Sequence, residues 1–392
     1  MQNLSNFDAV LKNIYLGPIR NQLNSKTILL KRIERDEESV SGKNATISLN
    51  YGRNEGIGAR GDGSALPAAG QQSYKESIIP LRYNYGRIRI TGPTIAASRD
   101  NKGAFVKAVD SEVKGMVRDL RADINRQLFG AGAGQLTLCS LSTTTTTVNV
   151  TSTKYIKAGM IIDIKDSSGA DISSGGSLTV ASVTSATAFV LTTTTVSTAI
   201  TDGVYREDSI DLEIMGLKGA IDDGDNVSTF QGITRSTNIW FKSNVQESSS
   251  AGNNYAISEK RMQEAMDKAE TEGDGSPSLL ITTHAVRRNY IDILTADKRF
   301  VNTLKLDGGY KGIDFNGIPL VVDKDALANT MFFIDESTLK IYRASDFDWM
   351  DKDGAILSRV SGYDAYEAVI YLYANLGCDA CNKSTVMRDI TE

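Results

Sequence analysis

Three short sequences carry residue types that could bind a ligand or take part in catalysis, and the first is rich in glycine. Gly56-Ile57-Gly58-Ala59-Arg60-Gly61 matches the G-x-G-x-x-G pattern letter for letter. A phosphate cradle of this kind needs a strand directly before it and a helix directly after it, because the helix N-terminus binds the anion. Pro67 and further glycines follow here without helical periodicity. The pattern therefore favours a flexible loop over a nucleotide site.

The second sequence is a C-x-x-C pair, Cys378-Asp379-Ala380-Cys381. A zinc site needs two further ligands at matching spacing, and the remaining Cys139 and His284 are both remote in the sequence. A redox pair opens a helix after a strand in a thioredoxin-like unit, which the surrounding pattern does not indicate. We therefore expect reduced thiols, and we predict neither a metal nor a cofactor.

The third candidate is His284, the only histidine, on which any Ser–His–Asp arrangement would depend. It follows two threonines at a predicted helix start, and the chain contains no G-x-S-x-G sequence around a nucleophile. The acidic segments 222–226 and 348–354 lack the spacing and the terminal Glu of a calcium loop, so we interpret them as Asp-Gly turns. The residues indicate no catalytic centre, and we predict that the protein is not an enzyme.

The composition limits the class of protein further. The chain has 392 residues, of which 41% are hydrophobic and 23% charged, as in ordinary globular proteins. Its 43 basic and 48 acidic side chains give a formal net charge of −5, which does not favour tight electrostatic binding of DNA by the whole surface. No segment approaches the ~20 apolar residues of a membrane span, and the N-terminus does not read as a secretory signal. We expect no membrane partner.

The first part of the chain predicts an arm followed by an extended ribbon. Residues 1–43 begin with a short helix in which Phe7 and Leu11 share the apolar face. The charged run at 31–38 is expected to be a solvated face. We therefore expect most of the arm to lie away from the subunit's own core.

Residues 44–91 predict a long β-ribbon. Apolar and polar residues alternate from Thr46 to Tyr51, which is typical of a half-buried strand. Residues 81–90 form the returning strand, where the alternation changes face at Gly86 and so predicts a bulge or bend. A long Gly- and Ala-rich tip lies between the strands. Because a two-stranded ribbon is marginal alone, its apolar side needs a cover, and another subunit is a natural candidate.

A long helix and a β-rich insert follow. Apolar residues recur at three- and four-residue steps over 99–130, which predicts one helix of roughly 40 Å that ends at a Gly-Ala repeat. Residues 136–206 combine threonine tracts with short β-prone runs and Gly/Ser turns. This pattern indicates a small barrel or sandwich inserted into a larger domain, and a low-complexity linker is the alternative.

The remaining residues, 207–392, predict a mixed α/β region. Ser258 can cap a helix that runs through Glu270, and a strand at 279–281 precedes a second helix. Residues 331–342 predict a hairpin around Asp335. A later segment, 367–376, is apolar on both faces, as a central strand would be. The predicted fold class of the whole chain is α+β.

The order of these features resembles a known family. An arm and a ribbon loop lead through Ile88-Arg89-Ile90-Thr91 and Ser98-Arg99-Asp100 into the helix from Ala104 to Phe129, which ends in Gly130-Ala131-Gly132; an α/β region and a late strand from Ala365 to Leu376 follow. This order looks like a major capsid protein of tailed bacteriophages with the Hong Kong 97-type fold. The resemblance covers most of the chain outside the insert at about 136–206, and it rests on the order of loose patterns.

The resemblance implies a role for each region. The expected division is an N-terminal arm at 1–43, an extended loop at 44–91, a peripheral domain with a spine helix at 92–135, an inserted β-rich domain at 136–206, an axial domain at 207–345 and a return to the peripheral domain at 346–392. The extended loop would lie across a neighbouring subunit. The expected contacts between subunits are Phe7, Leu11, Ile47, Leu49, Tyr51, Arg60, Asp62, Leu66, Tyr83 and Tyr85.

The resemblance also implies the partners and the location. The subunits would assemble into hexamers and pentamers of an icosahedral shell around double-stranded phage DNA, which the inner surface would contact without reading its sequence. A separate scaffolding protein, a portal and a decoration protein are further expected partners. The location would be the virion, and the host cytoplasm during assembly.

Three rival functions remain open at this point. An encapsulating nanocompartment shell would share the fold, although the insert and the chain length fit a phage better. A nucleotide-binding enzyme would use the loop from Gly56 to Gly61. A tail or adhesin protein is supported only by the threonine-rich β segment.

Overall fold

The structure of the protein is a computed structural model. It describes residues 28–93, 102–172, 176–192, 195–248, 253–296, 303–305, 311–351, 354, 356 and 358–392. Its contacts divide the chain into two compact units. The second unit is Gly132–Glu213, and the described residues on either side of it form the first. No described helix is both long enough and apolar enough to span a bilayer.

Among its described residues, the N-terminal part of the first unit contains two helices and five strands. In chain order these are α1 (Ile28–Arg32), β1 (Glu34–Asp36), β2 (Val40–Ser41), β3 (Asn44–Gly52), β4 (Ser73–Pro80), β5 (Arg82–Thr91) and α2 (Lys102–Gln127). The predicted long helix is thus confirmed as the 26-residue α2. Its side chains Val113, Val117 and Ile124 are at most 2% exposed, so the apolar stripe faces the core.

The charged run at 31–38 keeps Lys31, Glu34, Glu37 and Glu38 exposed, but other members of it are attached to the body of the subunit. Strand β1 pairs in parallel with residues 340–342, and the guanidinium of Arg32 binds the carboxylate of Glu336 at 2.5 Å and 2.6 Å. Arg343 makes a further ion pair with Glu37 at 2.5 Å. Alternating charges therefore attach this segment to the subunit's own body.

The second unit consists of β strands. They are β6 (Gln135–Leu138), β7 (Thr143–Thr145), β8 (Thr147–Asn149), β9 (Ile161–Lys165), β10 (Leu178–Ser185), β11 (Ala188–Leu191), β12 (Val196–Thr198) and β13 (Gly203–Arg206). Six of them follow the order β6-β13-β9-β10-β11-β8. A bridge between Cys139 and Val150 joins the outer strands, so this sheet closes into a small barrel around buried Ile162 and Phe189. The threonine tract at 143–145 is a strand and not a linker.

The C-terminal part of the first unit adds three α-helices, three 3₁₀ turns and twelve strands among its described residues. They are α3 (Leu217–Ala220), β14 (Thr229–Phe230), β15 (Ile233–Thr234), the turn Ile239–Phe241, β16 (Asn244–Gln246), α4 (Glu259–Gly273), β17 (Leu279–Thr282), α5 (His284–Ala296), β18 (Thr303–Lys305), β19 (Lys311–Phe315), β20 (Ile318–Val322), β21 (Met331–Ile334), the turn Glu336–Thr338, β22 (Leu339–Trp349), β23 (Ser358–Arg359), β24 (Ala365–Cys378), the turn Cys381–Lys383 and β25 (Thr385–Met387). Ser258 caps α4, as predicted, by accepting from the Arg261 backbone N–H.

Two large sheets organise these elements. A seven-stranded sheet has the order β16-β25-β21-β17-β20-β19-β18 and packs on α4 and α5 through a shared apolar cluster. In the other sheet β24 pairs with β22, β23 and β5. The predicted central strand is therefore confirmed as β24, which is 14 residues long.

The predicted hairpin at 331–342 was wrong. Strand β21 belongs to the seven-stranded sheet, whereas β22 pairs with β24 in the other sheet. The turn between them, in which Asp335 accepts from the Ser337 backbone N–H, carries the chain from one sheet to the other. Sequence periodicity reports two adjacent strands but not whether they pair with each other. The expected domain change at 345/346 falls inside β22.

The predicted returning strand of the ribbon was also wrong. Strand β3 pairs with β4, with Asn44 opposite Pro80 and Gly52 opposite Ser73. Residues 82–91 instead form β5, which runs antiparallel to β24 over its full length. Proline at position 80 has no backbone donor, which fits the end of one ladder before the chain enters another.

No bulge is present at Gly86, because β5 stays in register with β24 from Arg82 to Thr91. The apolar residues change face for a different reason. A Cβ atom at Gly86 would lie 3.0 Å from the Sδ atom of Met116 on α2 and 3.0 Å from a methyl carbon of Ile370 on β24. Glycine therefore allows the helix to approach the sheet closely.

Gly86 on β5 and Gly115 on α2 allow a matched test of the contact between the helix and the sheet. Gly86→Val should lower the free energy of unfolding by about 1–3 kcal/mol, because the added methyls overpack the helix–sheet contact. Gly115→Ala, where nothing lies within 4 Å of an added Cβ, should raise it by up to ~1 kcal/mol through helix propensity. Denaturant unfolding of both variants measures this, and an unchanged value for Gly86→Val would contradict the packing argument.

Candidate assembly surfaces

The glycine-rich loop is not built to hold a phosphate. Residues 53–72 connect β3 to β4, and the only regular feature assigned within them is a turn at 62–63. The side chains of Arg60, Asp62 and Leu66 are exposed, with Leu66 at 85%. Since no helix follows Gly61, the loop lacks the helix N-terminus on which phosphate binding depends.

The two flanks of this loop run close together. The Asn54 side chain accepts a hydrogen bond from the Gly56 backbone N–H at 2.8 Å. A Cβ atom on Gly56 would lie 2.8 Å from the backbone nitrogen of Gly70. Glycine is required here because the opposing backbones leave no space for a side chain. The loop therefore continues the ribbon and exposes Leu66 beyond this narrow part.

The three cysteines lie in the protein interior. Cys139, Cys378 and Cys381 are free and buried. A hydrogen bond with Cys381 and burial together hold the pKa of the Cys378 thiol well above its ordinary value, which disfavours the reactive thiolate. His284 is exposed at the start of α5. Among the residues that the structure describes, no three His, Cys, Asp or Glu side chains come together as metal ligands.

The acidic turn at 222–226 contains a buried charge that the sequence did not reveal. Asp222 and Arg235 are both fully buried and form an ion pair at 3.2 Å, and Arg388 also donates to Asp222. Although burial raises it, hydrogen bonds from Asn226, Val227 and Arg388 hold the pKa of Asp222 below its ordinary value.

Arg235 in addition donates through its two Nη atoms to three backbone carbonyls, which offsets part of the cost of burying the guanidinium; its acceptors are the oxygens of Gly219, Ala220 and Val227. This network fixes the segment from α3 to β15. Arg388 is 166 residues away from Asp222 in the sequence, so no local signal could have found this part of the network.

The base of the ribbon is held by the subunit's own β14–β15 hairpin and the turn after it. Tyr51 stacks on Trp240 with ring centroids 5.0 Å apart, and the Lys75 ammonium donates to the Asn238 side chain at 2.9 Å. Ser77 is hydrogen-bonded to the Gln231 amide at 2.9 Å, and the Ser77 side chain is fully buried. The ribbon therefore has a support within its own chain.

This support corrects one expected contact between subunits. Leu49 is 6% exposed and belongs to the core of its own subunit, so its side chain is not available to a neighbour. Ile47 is partly buried against Ala45 and Ile79, whereas Tyr51 remains 48% exposed. The inner face of β3 packs on the subunit itself because the ribbon lies over β22 and β24 at its base. Phe7 and Leu11 lie outside the described residues.

A second exposed surface lies on the β5–β24 sheet. Tyr83 and Tyr85 are 48% and 53% exposed, and both rings contact Tyr373 edge to face, with centroids 5.0 Å and 6.0 Å apart. Tyr371 adjoins Tyr373 at 4.7 Å. We call these four residues the tyrosine face. Side chains alternate between the two faces of a strand, so the tyrosines lie opposite the face that packs on α2.

The ends of the tyrosine face carry charged side chains that are already paired. Arg87 forms an ion pair with Glu367, and the Arg89 guanidinium lies 4.4 Å from the ring centroid of Tyr363. The surface is thus an aromatic patch with a polar border, an arrangement typical of protein interfaces.

The comparisons with known proteins agree on the fold. No protein-family model matches the sequence, and no curated protein matches it either. The chain is similar to the capsid asymmetric unit of cyanophage A-1(L), with 17% identity, 94% of each chain covered and a TM-score of 0.61. It is also similar to the capsid of an empty GTA particle, with 10% identity, a TM-score of 0.50, and 94% of this chain and 97% of that chain covered.

These similarities confirm the fold that the sequence resemblance implied. The chain has the Hong Kong 97-type fold of phage capsid proteins, with mixed α and β elements and a long helix beside a central sheet. An encapsulin complex from Synechococcus elongatus is less similar, with 8% identity over 92% of this chain and 86% of that chain and a TM-score of 0.49.

The stack between Tyr51 and Trp240 can be tested without assembly. Trp240→Ala should speed amide hydrogen exchange in β3 and β4, because the ribbon loses its aromatic contact with the hairpin. Ile239→Ala is the matched control, since Ile239 is 73% exposed and adjacent in sequence. Hydrogen exchange measured by mass spectrometry compares both variants. Equal protection of the ribbon in Trp240→Ala and in the wild type would show that the stack does not stabilise the ribbon.

Proposed function

We propose that the protein is a major capsid protein that self-assembles into hexamers and pentamers of an icosahedral shell around double-stranded phage DNA. The observation that carries this proposal is the similarity to a cyanophage capsid subunit over 94% of both chains. A projecting loop with an exposed Leu66 and an exposed aromatic patch on the same chain support it. Such surfaces on a subunit favour burial against another copy.

Most regions take the roles that the sequence analysis assigned to them. Residues 44–80 supply the extended loop, 92–135 the peripheral domain with α2 as its spine, 136–206 the insert and 207–338 the axial domain, while β5, β22 and β24 belong to the peripheral domain. The arm at 1–43 contributes further contacts through Phe7 and Leu11. Ile47 and Tyr51 then border the interface at the ribbon base.

The loop of one subunit lies on the tyrosine face of the next in this proposal. Leu66 supplies an apolar side chain whose burial is worth about 1.5–3 kcal/mol, and aromatic rings are favourable partners for it. Arg60 and Asp62 flank the tip and provide one charge of each sign for polar contacts at the border. Tyr83 and Tyr85 are the most exposed rings of the receiving patch.

The two surfaces are different from each other, which has a geometric consequence. An interface between unlike patches is heterologous, and repeating it around an axis generates a closed ring. Rings of five and six subunits are the units from which an icosahedral shell is built. The glycines of the loop allow the small changes in backbone that two ring sizes require.

The remaining partners follow from a structural role without enzymatic activity or cofactor. A separate scaffolding protein and a portal would direct assembly, a decoration protein would bind the outside, and DNA would contact the inside non-specifically. The protein would reside in the virion, and in the host cytoplasm during assembly.

Shortening the loop tests the proposed function directly. Gly52 and Ser73 are opposite each other, so Asn-Gly in place of residues 53–72 would close β3 and β4 as a tight hairpin. We expect folded subunits with unchanged thermal unfolding but no closed shells in negative-stain micrographs, under conditions where the wild type assembles with its scaffold. Normal shells from this variant would rule out the role of the loop.

The pairing of loop and tyrosine face is tested by a double-mutant cycle. Leu66→Ala and Tyr85→Ala should each raise the critical concentration for assembly, and the double variant should raise it less than the product of the two factors, because both remove one contact. Ser64→Ala, also exposed in the loop, is the control. Additive effects on the free energy of assembly would place Leu66 and Tyr85 in separate contacts.

A further inference from the structure

The side chain of Gln231 forms a bridge between the ribbon and the end of β24. Its amide is oriented with Nε2 toward the Cys378 carbonyl, because the opposite orientation would set two oxygens against each other. Nε2 donates to that carbonyl at 3.0 Å and to Ser77 Oγ on β4 at 2.9 Å, while Oε1 accepts from the Cys378 backbone N–H at 2.6 Å. Gln231, Ser77 and Cys378 are 6%, 0% and 1% exposed. All three hydrogen bonds are therefore shielded from water.

The bridge occupies an edge of β24 that β5 leaves uncovered. Strand β5 pairs with β24 only as far as Ala374, whereas β24 continues to Cys378. The next residue, Asp379, donates its N–H to the Thr338 carbonyl beside β22, and successive strand residues direct their backbone groups to opposite edges. Cys378 thus faces the side on which β5 has ended. The Gln231 amide binds its N–H and its carbonyl there as a neighbouring strand would.

Gln231 holds the ribbon through its backbone as well. Its carbonyl accepts from the Ile78 backbone N–H on β4 at 3.0 Å, next to the contact with Ser77. A Cβ atom at Gly377 would lie 2.9 Å from the Gln231 amide, so glycine leaves the space that the amide occupies. One residue of the β14–β15 hairpin therefore contacts consecutive positions of β4 and the end of β24.

The turn that carries Gln231 is unfavourable for this residue type. Gln231 and Gly232 connect β14 to β15, and their φ angles are +51° and +74°. Two-residue hairpin loops with positive φ at both positions favour Asn, Asp or Gly at the first. A non-glycine residue held in the left-handed region indicates a constraint beyond the turn itself. Asparagine would supply the same amide on a side chain one methylene shorter. The length of the glutamine side chain is what the bridge requires.

We propose that Gln231 is a positioning residue that fixes the direction of the ribbon on its subunit by linking β4 to the end of β24. Without the bridge the ribbon is free to turn about its base, and the direction of the loop is no longer defined. The bridge lies within one subunit. Its consequence for assembly rests on the proposed function, because the direction of the ribbon decides where Leu66 meets a neighbouring subunit.

The test measures distances within the unassembled protein by double electron–electron resonance between spin labels. The three native cysteines are buried, so introduced exposed cysteines are labelled selectively. One pair joins the ribbon to the body, with Tyr74→Cys on β4 and Lys260→Cys on α4, at positions 65% and 86% exposed. The reference pair combines Lys260→Cys with Arg118→Cys on α2, at a position 69% exposed.

Gln231→Asn and Gln231→Gly both suit the left-handed turn, but neither has a side chain long enough for the bridge. We expect both to broaden the distance distribution of the 74–260 pair and to leave that of the 118–260 pair unchanged. Exchange of the Cys378 backbone amide should become about tenfold faster, because its hydrogen bond to Gln231 is lost. Thr229→Ala, in the same hairpin with an exposed side chain, is the control and should change neither measurement.

Two results on the unassembled protein would overturn the proposal. A narrow 74–260 distribution in Gln231→Asn, with Cys378 exchange as in the wild type, would make Gln231 a turn residue only. Equal broadening of the 118–260 pair would indicate a general loss of structure and not a released ribbon.

The consequence for assembly is measured separately. Gln231→Asn should raise the critical concentration for shell formation, and an unchanged value despite a broadened ribbon distribution would contradict the positioning role. A wild type that forms no shells with its scaffold would instead contradict the proposed function, and the distance measurements on the subunit would still decide whether the bridge fixes the ribbon.

Discussion

The antiparallel pairing of β24 with β5 and with β22 is the interaction on which the rest of the first unit depends. It joins residues almost 300 positions apart in the chain, from Arg82 opposite Ala374 to Thr91 opposite Ala365. One face of this sheet receives α2, with Gly86 at the closest approach. The opposite face presents the tyrosine face to the outside. Because a strand alternates its side chains, both surfaces are fixed as soon as the register is fixed.

The pairing of β5 with β24 also determines where the ribbon begins. Strand β4 leads through Leu81 directly into β5, so the ribbon begins where the central sheet ends. Its base is held by Tyr51 on Trp240 and by buried Ser77, while the loop beyond Gly56 and Gly70 has no comparable support in the described residues. Because the strands of the ribbon are fixed on the subunit, the exposed loop is held in a defined position before assembly. Such preorganisation reduces the conformational entropy that is lost when the loop binds another subunit.

Buried polar groups lie where elements remote in sequence meet. Asp222 brings together α3, β15 and the segment after β25 through Arg235 and Arg388, and its charge is balanced. Asp323 and Asp325 connect α2 to the end of β20 through hydrogen bonds from the Asn125 amide. In a low-dielectric interior, polar groups that are hydrogen-bonded in this way fix the geometry of the elements they join.

Local patterns in the sequence are sufficient to predict several of the elements. The apolar spacing predicted α2, the cap at Ser258 predicted the start of α4, and an apolar segment on both faces predicted β24. The order of these patterns was sufficient to indicate the Hong Kong 97-type fold. It did not determine which strands pair, so residues 81–90 were assigned to the ribbon and 331–342 to a hairpin. Nor could it show that Leu49 faces its own core or that Asp222 and Asp323 are buried. Pairing and burial depend on contacts between residues far apart in the chain, and only the tertiary structure decides them.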